Sequence, residues 1–160
     1  MKRLLQPAIA VALVLCLVFS CCACGKGSVQ TPGNIVKAIK EQNNFSKLNM
    51  LSNDKLSSYF QFKDSDVKRF CVMVSDSEKS SDTIACFEPA DKAGRSVVIS
   101  GISQYLTTLS TSFKTTIDSE YTKIQNRILM ETESLIVLVI CAEPKGVAKQ
   151  LEKMGAKQIY

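Results

Sequence analysis

The sequence predicts an α+β domain: an antiparallel sheet of about four strands in a β-β-α-β-β-α order, packed against helices and preceded by two short N-terminal helices. Three observations carry this expectation. Over residues 68–75 (KRFCVMVS), Phe70, Val72 and Val74 alternate with Cys71, Met73 and Ser75, the period of a strand. Residues 135–141 (LIVLVIC) are apolar throughout. That run is too short to span a membrane and too uniform for an edge, so it reads as a central strand covered on both faces. Between the two, Val98, Ile102, Tyr105, Leu109 and Phe113 recur at spacings of three and four, with Leu106 adding width, as on the buried face of a long helix.

Taken in order, Thr31 is placed to cap a first short helix and Pro32 suits its opening position. Ile35, Val36 and Ile39 line one face, and Asn43 and Asn44 end it. Ser52, Asn53 and Asp54 begin a second short helix carrying Leu56, Tyr59 and Phe60, and residues 61–67 form a turn-rich link. The first strand, 68–75, and the second, 82–88, form a hairpin around the polar loop 76–81, and Pro89 stops it. If Ser75 and Asp82 flank that loop symmetrically, Cys71 falls opposite Cys86. The long helix spans 91–114; Gly101 inside it costs about 1 kcal/mol relative to Ala, which a close helix–sheet contact would explain. After a polar passage over 115–125, strands 127–131 and 135–141 flank the turn Thr132-Glu133-Ser134. Pro144 opens a final helix with Val147, Ala148, Leu151 and Met154 inward and Gly155 as its C-terminal cap. Residues 157–160 are either a short added strand or a frayed tail. Cys86-Phe-Glu-Pro89 and Cys141-Ala-Glu-Pro144 each close a hairpin and open a helix, which suggests a repeated strand–strand–helix layout.

The N-terminus carries an address. Lys2 and Arg3 precede a uniformly apolar run over 8–19, about the length of a secretory signal core and short of the ~20 residues of a membrane-spanning helix. Ser20-Cys21-Cys22-Ala23-Cys24-Gly25 then resembles a bacterial lipobox, in which small residues precede a cysteine that is diacylated before cleavage. Cys24, between Ala23 and Gly25, is the expected lipidation site; Cys21 is second, with Val18 and Ser20 suitable but Phe19 bulky. The alternative is an ordinary cleaved signal peptide. The domains expected are therefore a signal peptide over 1–23, a lipidated cysteine and short tether over 24–30, and one extracytoplasmic domain over 31–160. Two acyl chains hold a bilayer stably where one does not. The tether reaches at most about 20 Å when extended, which keeps the domain near the headgroups.

Without the signal the formal charge falls from +5 to +3, because Lys2 and Arg3 leave with no acid. That is no nucleic-acid binder's charge. Cys71, Cys86 and Cys141 remain in the body; three cannot all pair within one chain, and each lies in an apolar run where a free thiol behaves as a small hydrophobe. A Cys71–Cys86 disulfide is the alternative. No cysteine spacing suggests zinc.

The chain has no histidine, which removes the usual general base and every Ser-His or Cys-His arrangement. Ser52-Asn-Asp-Lys55 matches S-x-x-K, but the companion motifs are missing and Ser52 has a capping job. Asp64 and Asp66 lack the glycine and distant glutamate of a calcium loop. Glu88, Glu120, Glu131 and Glu143 could serve carboxylate-only chemistry, though spacing does not pair them. No catalytic, cofactor or metal residue is therefore assigned. Lys145, Lys149 and Lys153 recur every four residues as a basic stripe on the last helix, which Lys157 would extend if the helix continued. They are candidate contacts to an anionic surface, worth about 1 kcal/mol per lysine near charged headgroups; Glu152 dilutes them, and a solvated face is the plainer reading.

Residues 56–67 (LSSYFQFKDSDV) resemble a helix-then-turn segment in a family of lipoproteins of Gram-positive bacteria, catalogued as domain of unknown function forty-three fifty-eight. Residues 82–87 (DTIACF) are similar to that family's A-D-E-I-A-V-F run, with Thr83 for the usual acid and Ser81 for the usual Ala. Residues 120–126 (EYTKIQN) and the apolar strand behind them resemble its K-L-E-N passage, while Glu133, Ser134 and Leu135 stand where a glycine and an aromatic are usual. The resemblance implies a secreted, lipid-anchored α+β domain and brings no activity, cofactor or catalytic residue. The expected function is a membrane-anchored extracytoplasmic lipoprotein, a non-catalytic interaction or ligand-binding module whose partners are the lipid bilayer and an envelope protein or polyanion. The alternatives are a small cell-envelope hydrolase using carboxylates, favoured by a deep cleft with two facing acids, or an accessory subunit of a membrane complex.

Overall fold

The computed structural model describes residues 30–159. The expected signal peptide, tether and both lipobox cysteines, Cys21 and Cys24, fall outside the described residues.

The body is a mixed α+β domain with one antiparallel six-stranded sheet and five α-helices. In chain order these are α1 (Pro32–Gln42), β1 (Leu48–Met50), α2 (Asn53–Phe60), β2 (Val67–Ser75), β3 (Thr83–Pro89), α3 (Lys92–Phe113), α4 (Asp118–Gln125), β4 (Ile128–Glu131), β5 (Ile136–Ile140), α5 (Pro144–Lys153) and β6 (Lys157–Gln158). The strands lie side by side as β1-β2-β3-β5-β4-β6. The sheet is thus two strands wider than the expected four. The additional strands, β1 and β6, hold three and two residues, too few to show an alternation, and both sit at edges. The β-β-α-β-β-α order needs a second correction: the polar passage after α3 contains α4. That helix escapes a hydropathy reading because one of its buried residues is an acid, Glu120.

The local rules hold elsewhere. Thr31 Oγ1 accepts from Asn34 N at the start of α1, and Asn43 Nδ2 donates to the Ile39 carbonyl at its end. Ser52 is the exception: it occupies the capping position of α2, but its side chain makes no cap hydrogen bond. Asp91 caps α3 by accepting from Gly94 N at 2.8 Å. Gly155, at φ 86°, follows α5 and turns the chain toward β6. Lys157 therefore leaves the helix axis for the sheet edge.

Ser75 N donates to Asp82 O at 3.0 Å, so the hairpin loop is symmetric and Cys71 pairs with Cys86 in register. β5 lies between β3 and β4 with all five residues buried. Its alternate side chains serve two cores. Ile136, Leu138 and Ile140 join Val72, Ala85 and Phe87 beneath α2, α3 and α4. Val137 and Val139 join Cys86 and Ile84 beneath α1 and α5. The result is a three-layer sandwich with the sheet in the middle.

Gly101 is buried, but its close neighbour is not the sheet. A Cβ there would overlap the Phe60 carbonyl oxygen at the end of α2 and come within 2.6 Å of Phe62 Cδ1. Helix α3 therefore lies directly on the C-terminus of α2.

The sheet has two distinguishable ends. One carries the β2–β3 loop, 76–82, together with the start of β4 and the end of β5. The other carries the β4–β5 turn, the start of β2 and the N-terminus of α1, where Thr31 and Pro32 lie by Arg69 and Phe70. The chain enters the domain at this second end.

Candidate functional site

A cleft of about 820 Å³ opens at the loop end, on the face covered by α2 and α3. Its floor is the sheet end at Val74 and Thr83. One wall is Ser52, before the first turn of α2, with Lys55 and Tyr59 of that helix, beside the edge strand β1. The other is the C-terminal half of α3 with Tyr105, Leu109, Ser112 and Phe113, and the serine-rich hairpin loop closes the end. α2 is only eight residues long and meets α3 near Gly101, and the cleft opens beyond that contact along the C-terminal half of α3. Tyr59 is 38% exposed there, with its ring centroid 6.2 Å from that of Tyr105.

A buried polar cluster fixes the closing loop. Lys123 Nζ lies 3.0 Å from Asp82 Oδ1 and 2.9 Å from Glu120 Oε1. Glu120 Oε2 accepts from Ser81 N at 2.8 Å and from Ser81 Oγ at 2.9 Å. Asp82 Oδ2 accepts from Ser46 N at 2.7 Å. Burial pushes the Glu120 carboxyl upward, but donation from Ser81 and Lys123 outweighs it and holds the group below its ordinary value. Burial likewise lowers Lys123, and the two carboxylates outweigh that, so the ammonium is held above its usual range. Both acids face one lysine.

Thr83 and Tyr105 form the cleft's inner contact at 2.9 Å. Thr83 Oγ1 also reaches the Ser81 carbonyl at 3.0 Å, which can only accept, so Thr83 donates there and Tyr105 donates to Thr83. Burial pushes the Tyr105 phenol up to about 12, and Thr83 only partly offsets it. The phenol is a neutral group at any physiological pH, not a base.

The other residues singled out from sequence are dispersed. Lys145, Lys149 and Lys153 are exposed along the outer face of α5. α1 lies beside α5 on the same side of the sheet, tied by Asn43 Nδ2 to Gln150 Oε1 at 3.2 Å and Gln150 Nε2 to the Ala38 carbonyl at 3.0 Å. α1 adds exposed Lys37 and Lys40, so the layer presents five lysines against Glu41, Glu143 and Glu152. Glu88 pairs with Arg69 and Glu131 with Arg95, each at 2.6 Å, and Glu143 is exposed at the start of α5. None of these faces another of them across the cleft. Ser52 and Lys55 both line the cleft, joined only through Lys55 N and the Ser52 carbonyl. Asp64 and Asp66 form a 3-10 turn in which Asp66 Oδ2 accepts from Lys63 N. Among the described residues no group of His, Cys, Asp and Glu is placed to hold a metal ion. Cys71, Cys86 and Cys141 are free and buried, and burial pushes each thiol up.

The family described as Domain of unknown function (DUF4358) matches residues 41–141, well over half of the chain. The chain belongs to this family. The matched span runs from the end of α1 through β5, so the whole cleft and the Asp82–Lys123–Glu120 cluster lie within the DUF4358 region, whereas Lys145, Lys149 and Lys153 lie beyond it. No curated protein and no solved structure matches the chain.

The reading of the sequence missed the cleft and the cluster that closes it. The signal available for the cluster was Glu120 and Lys123 three apart on a polar helix, the spacing of a helical ion pair.

Proposed function

We propose that this chain is a membrane-anchored extracytoplasmic lipoprotein, diacylated at Cys24 with Cys21 as the second candidate, whose domain is a non-catalytic ligand-binding module. The observation that carries the reading is that the lysine face and the cleft lie on opposite sides of the sheet. With α1 and α5 against anionic headgroups, Lys145, Lys149 and Lys153 meet opposite charge, and the cleft opens toward the envelope. A tether of at most about 20 Å permits that posture. Binding is favoured over hydrolysis because Asp82 and Glu120 clamp one lysine, and Asp76, at the rim, pairs with Lys47 at 2.9 Å.

Intact and peptide mass spectrometry of membrane-fractionated native protein tests the anchor. The expected result is a mature N-terminus at Cys24 bearing diacylglycerol; an unmodified N-terminus released to the medium refutes it. Flotation with phosphatidylglycerol vesicles tests the posture. Replacing Lys145, Lys149 and Lys153 by Glu in the unacylated Cys24→Ser, Cys21→Ser chain abolishes the salt-sensitive part of binding, and undiminished binding refutes it.

A further inference from the structure

We infer that the cleft binds a short, uncharged oligosaccharide. The inference rests on the cleft being the ligand site and adds the class of ligand. Ten of the side chains lining it carry a hydroxyl. Five of those hydroxyls have a direction fixed by their partners, and these bear on the ligand. Ser112 Oγ donates to the Thr108 carbonyl at 3.0 Å and Thr116 Oγ1 to the Ser112 carbonyl at 2.8 Å. Thr83 donates to Ser81, Tyr105 to Thr83, and Ser81 to Glu120. Each of these protons is spent inside the protein. Ser112 and Thr116 keep their oxygen lone pairs for the cleft, so this wall accepts hydrogen bonds rather than giving them.

A ligand that fits must bring donors. A sugar brings several hydroxyls, each free to rotate into the donating position. An extended peptide brings one carbonyl acceptor for every amide N–H, and along this wall those carbonyls would lose water without gaining a donor. An anionic polymer finds little attraction: Asp76 and Asp82 are paired, and Lys55 and Lys79 at the rim outnumber Glu78 by a single charge. Between the polar groups lie Tyr59, Leu109, Phe113 and Ile117, apolar surface for the C–H faces of pyranose rings. The cleft's volume of about 820 Å³ suits several linked rings and falls in the range of roughly 300–1,000 Å³ usual for small-ligand sites.

The test is calorimetry and ligand-observed NMR on the full-length chain in detergent. The probes are cellotetraose, maltotetraose and the N-acetylglucosamine tetramer, with a neutral tetrapeptide and inorganic tetrapolyphosphate as comparators. At least one tetrasaccharide is expected to bind saturably. Tyr59→Ala should weaken it about tenfold while Tyr59→Phe, which keeps the ring, stays within about twofold. The double variant Ser112→Ala, Thr116→Ala should also weaken it at unchanged melting temperature. No tetrasaccharide binding, or binding indifferent to Tyr59→Ala, overturns the inference. If the tetrapeptide or polyphosphate binds instead and Tyr59→Ala weakens it, the cleft stands and the sugar falls. If no probe binds, the sugar falls, and the cleft loses its support as a ligand site.

Discussion

Replacing Gly101 by Ala sets two effects of known sign against each other. Ala is the better helix former by about 1 kcal/mol in a helix interior, so on propensity alone the variant is more stable. The structure opposes this, because the added methyl would overlap the Phe60 carbonyl oxygen and lie 2.6 Å from Phe62 Cδ1. Ordinary contact begins at 3.4 Å. The carbonyl belongs to the backbone at the end of α2 and cannot rotate aside, so α2 and α3 must separate. Phe60 is fully buried, with ring centroids 5.1 Å from Phe87 and 4.7 Å from Tyr105, and any separation loosens that cluster. Overpacking of this kind costs about 1–3 kcal/mol, and rigid backbone on one side puts this site at the upper end. The net expectation is a loss of about 2 kcal/mol, or about 6–8 °C in melting temperature for a domain of this size. Thermal unfolding followed by circular dichroism measures it, with Ser100→Ala, exposed one residue earlier, as a control expected within about 0.5 kcal/mol of the parent. A Gly101→Ala melting temperature equal to or above the parent's would show that the α2–α3 approach is not what keeps glycine there.

Removing the shared cation by Lys123→Met leaves Asp82 and Glu120 buried without the ammonium they share, at a cost of roughly 3 kcal/mol by urea unfolding; a loss under about 1 kcal/mol at pH 7 would mean that water reaches the two carboxylates. Glu120 is held below its ordinary value of 4.5, so its contribution is complete above that pH and is lost as pH falls through the lower folded value. Lys123 is held above 10.5, so its contribution is complete below that pH and is lost as pH rises through the higher folded value. The urea midpoint should therefore show both losses, and the Lys123→Met, Glu120→Gln double variant should remove these two contributions together. Leu138→Ala, in the middle of fully buried β5, should cost about 3–4 kcal/mol, and a cost near 1 would mean that the core collapses around the gap.

What the sequence disclosed and what it withheld follow from one distinction. Features set within a single segment were legible: the alternation of β2, the uniform burial of β5, the helical stripe of α3, and the loop symmetry that places Cys71 across from Cys86. The lysines of α5 were legible for the same reason. Features set between segments were not. Gly101 advertised a close contact but not its partner, which is forty-one residues earlier at Phe60. Glu120 looks like a solvated acid until Ser81 and Lys123 surround it. The cleft draws its walls from β1, α2, the hairpin loop and α3, none of which shows it alone.

The strand order also governs when this domain can form. β3 pairs with β5, in register from Thr83 with Ile140 to Phe87 with Ile136, so the central ladder joins segments about fifty residues apart. A chain emerging from its N-terminus can close the β2–β3 hairpin early, yet β3 keeps one edge bare until residue 140 is free. Both cores draw on β5, and neither can assemble before it arrives. Long-range pairing of this kind slows folding. For a domain proposed to work outside the cytoplasm, this means that the central ladder closes only once the chain as far as residue 140 is available on the same side of the membrane as β3.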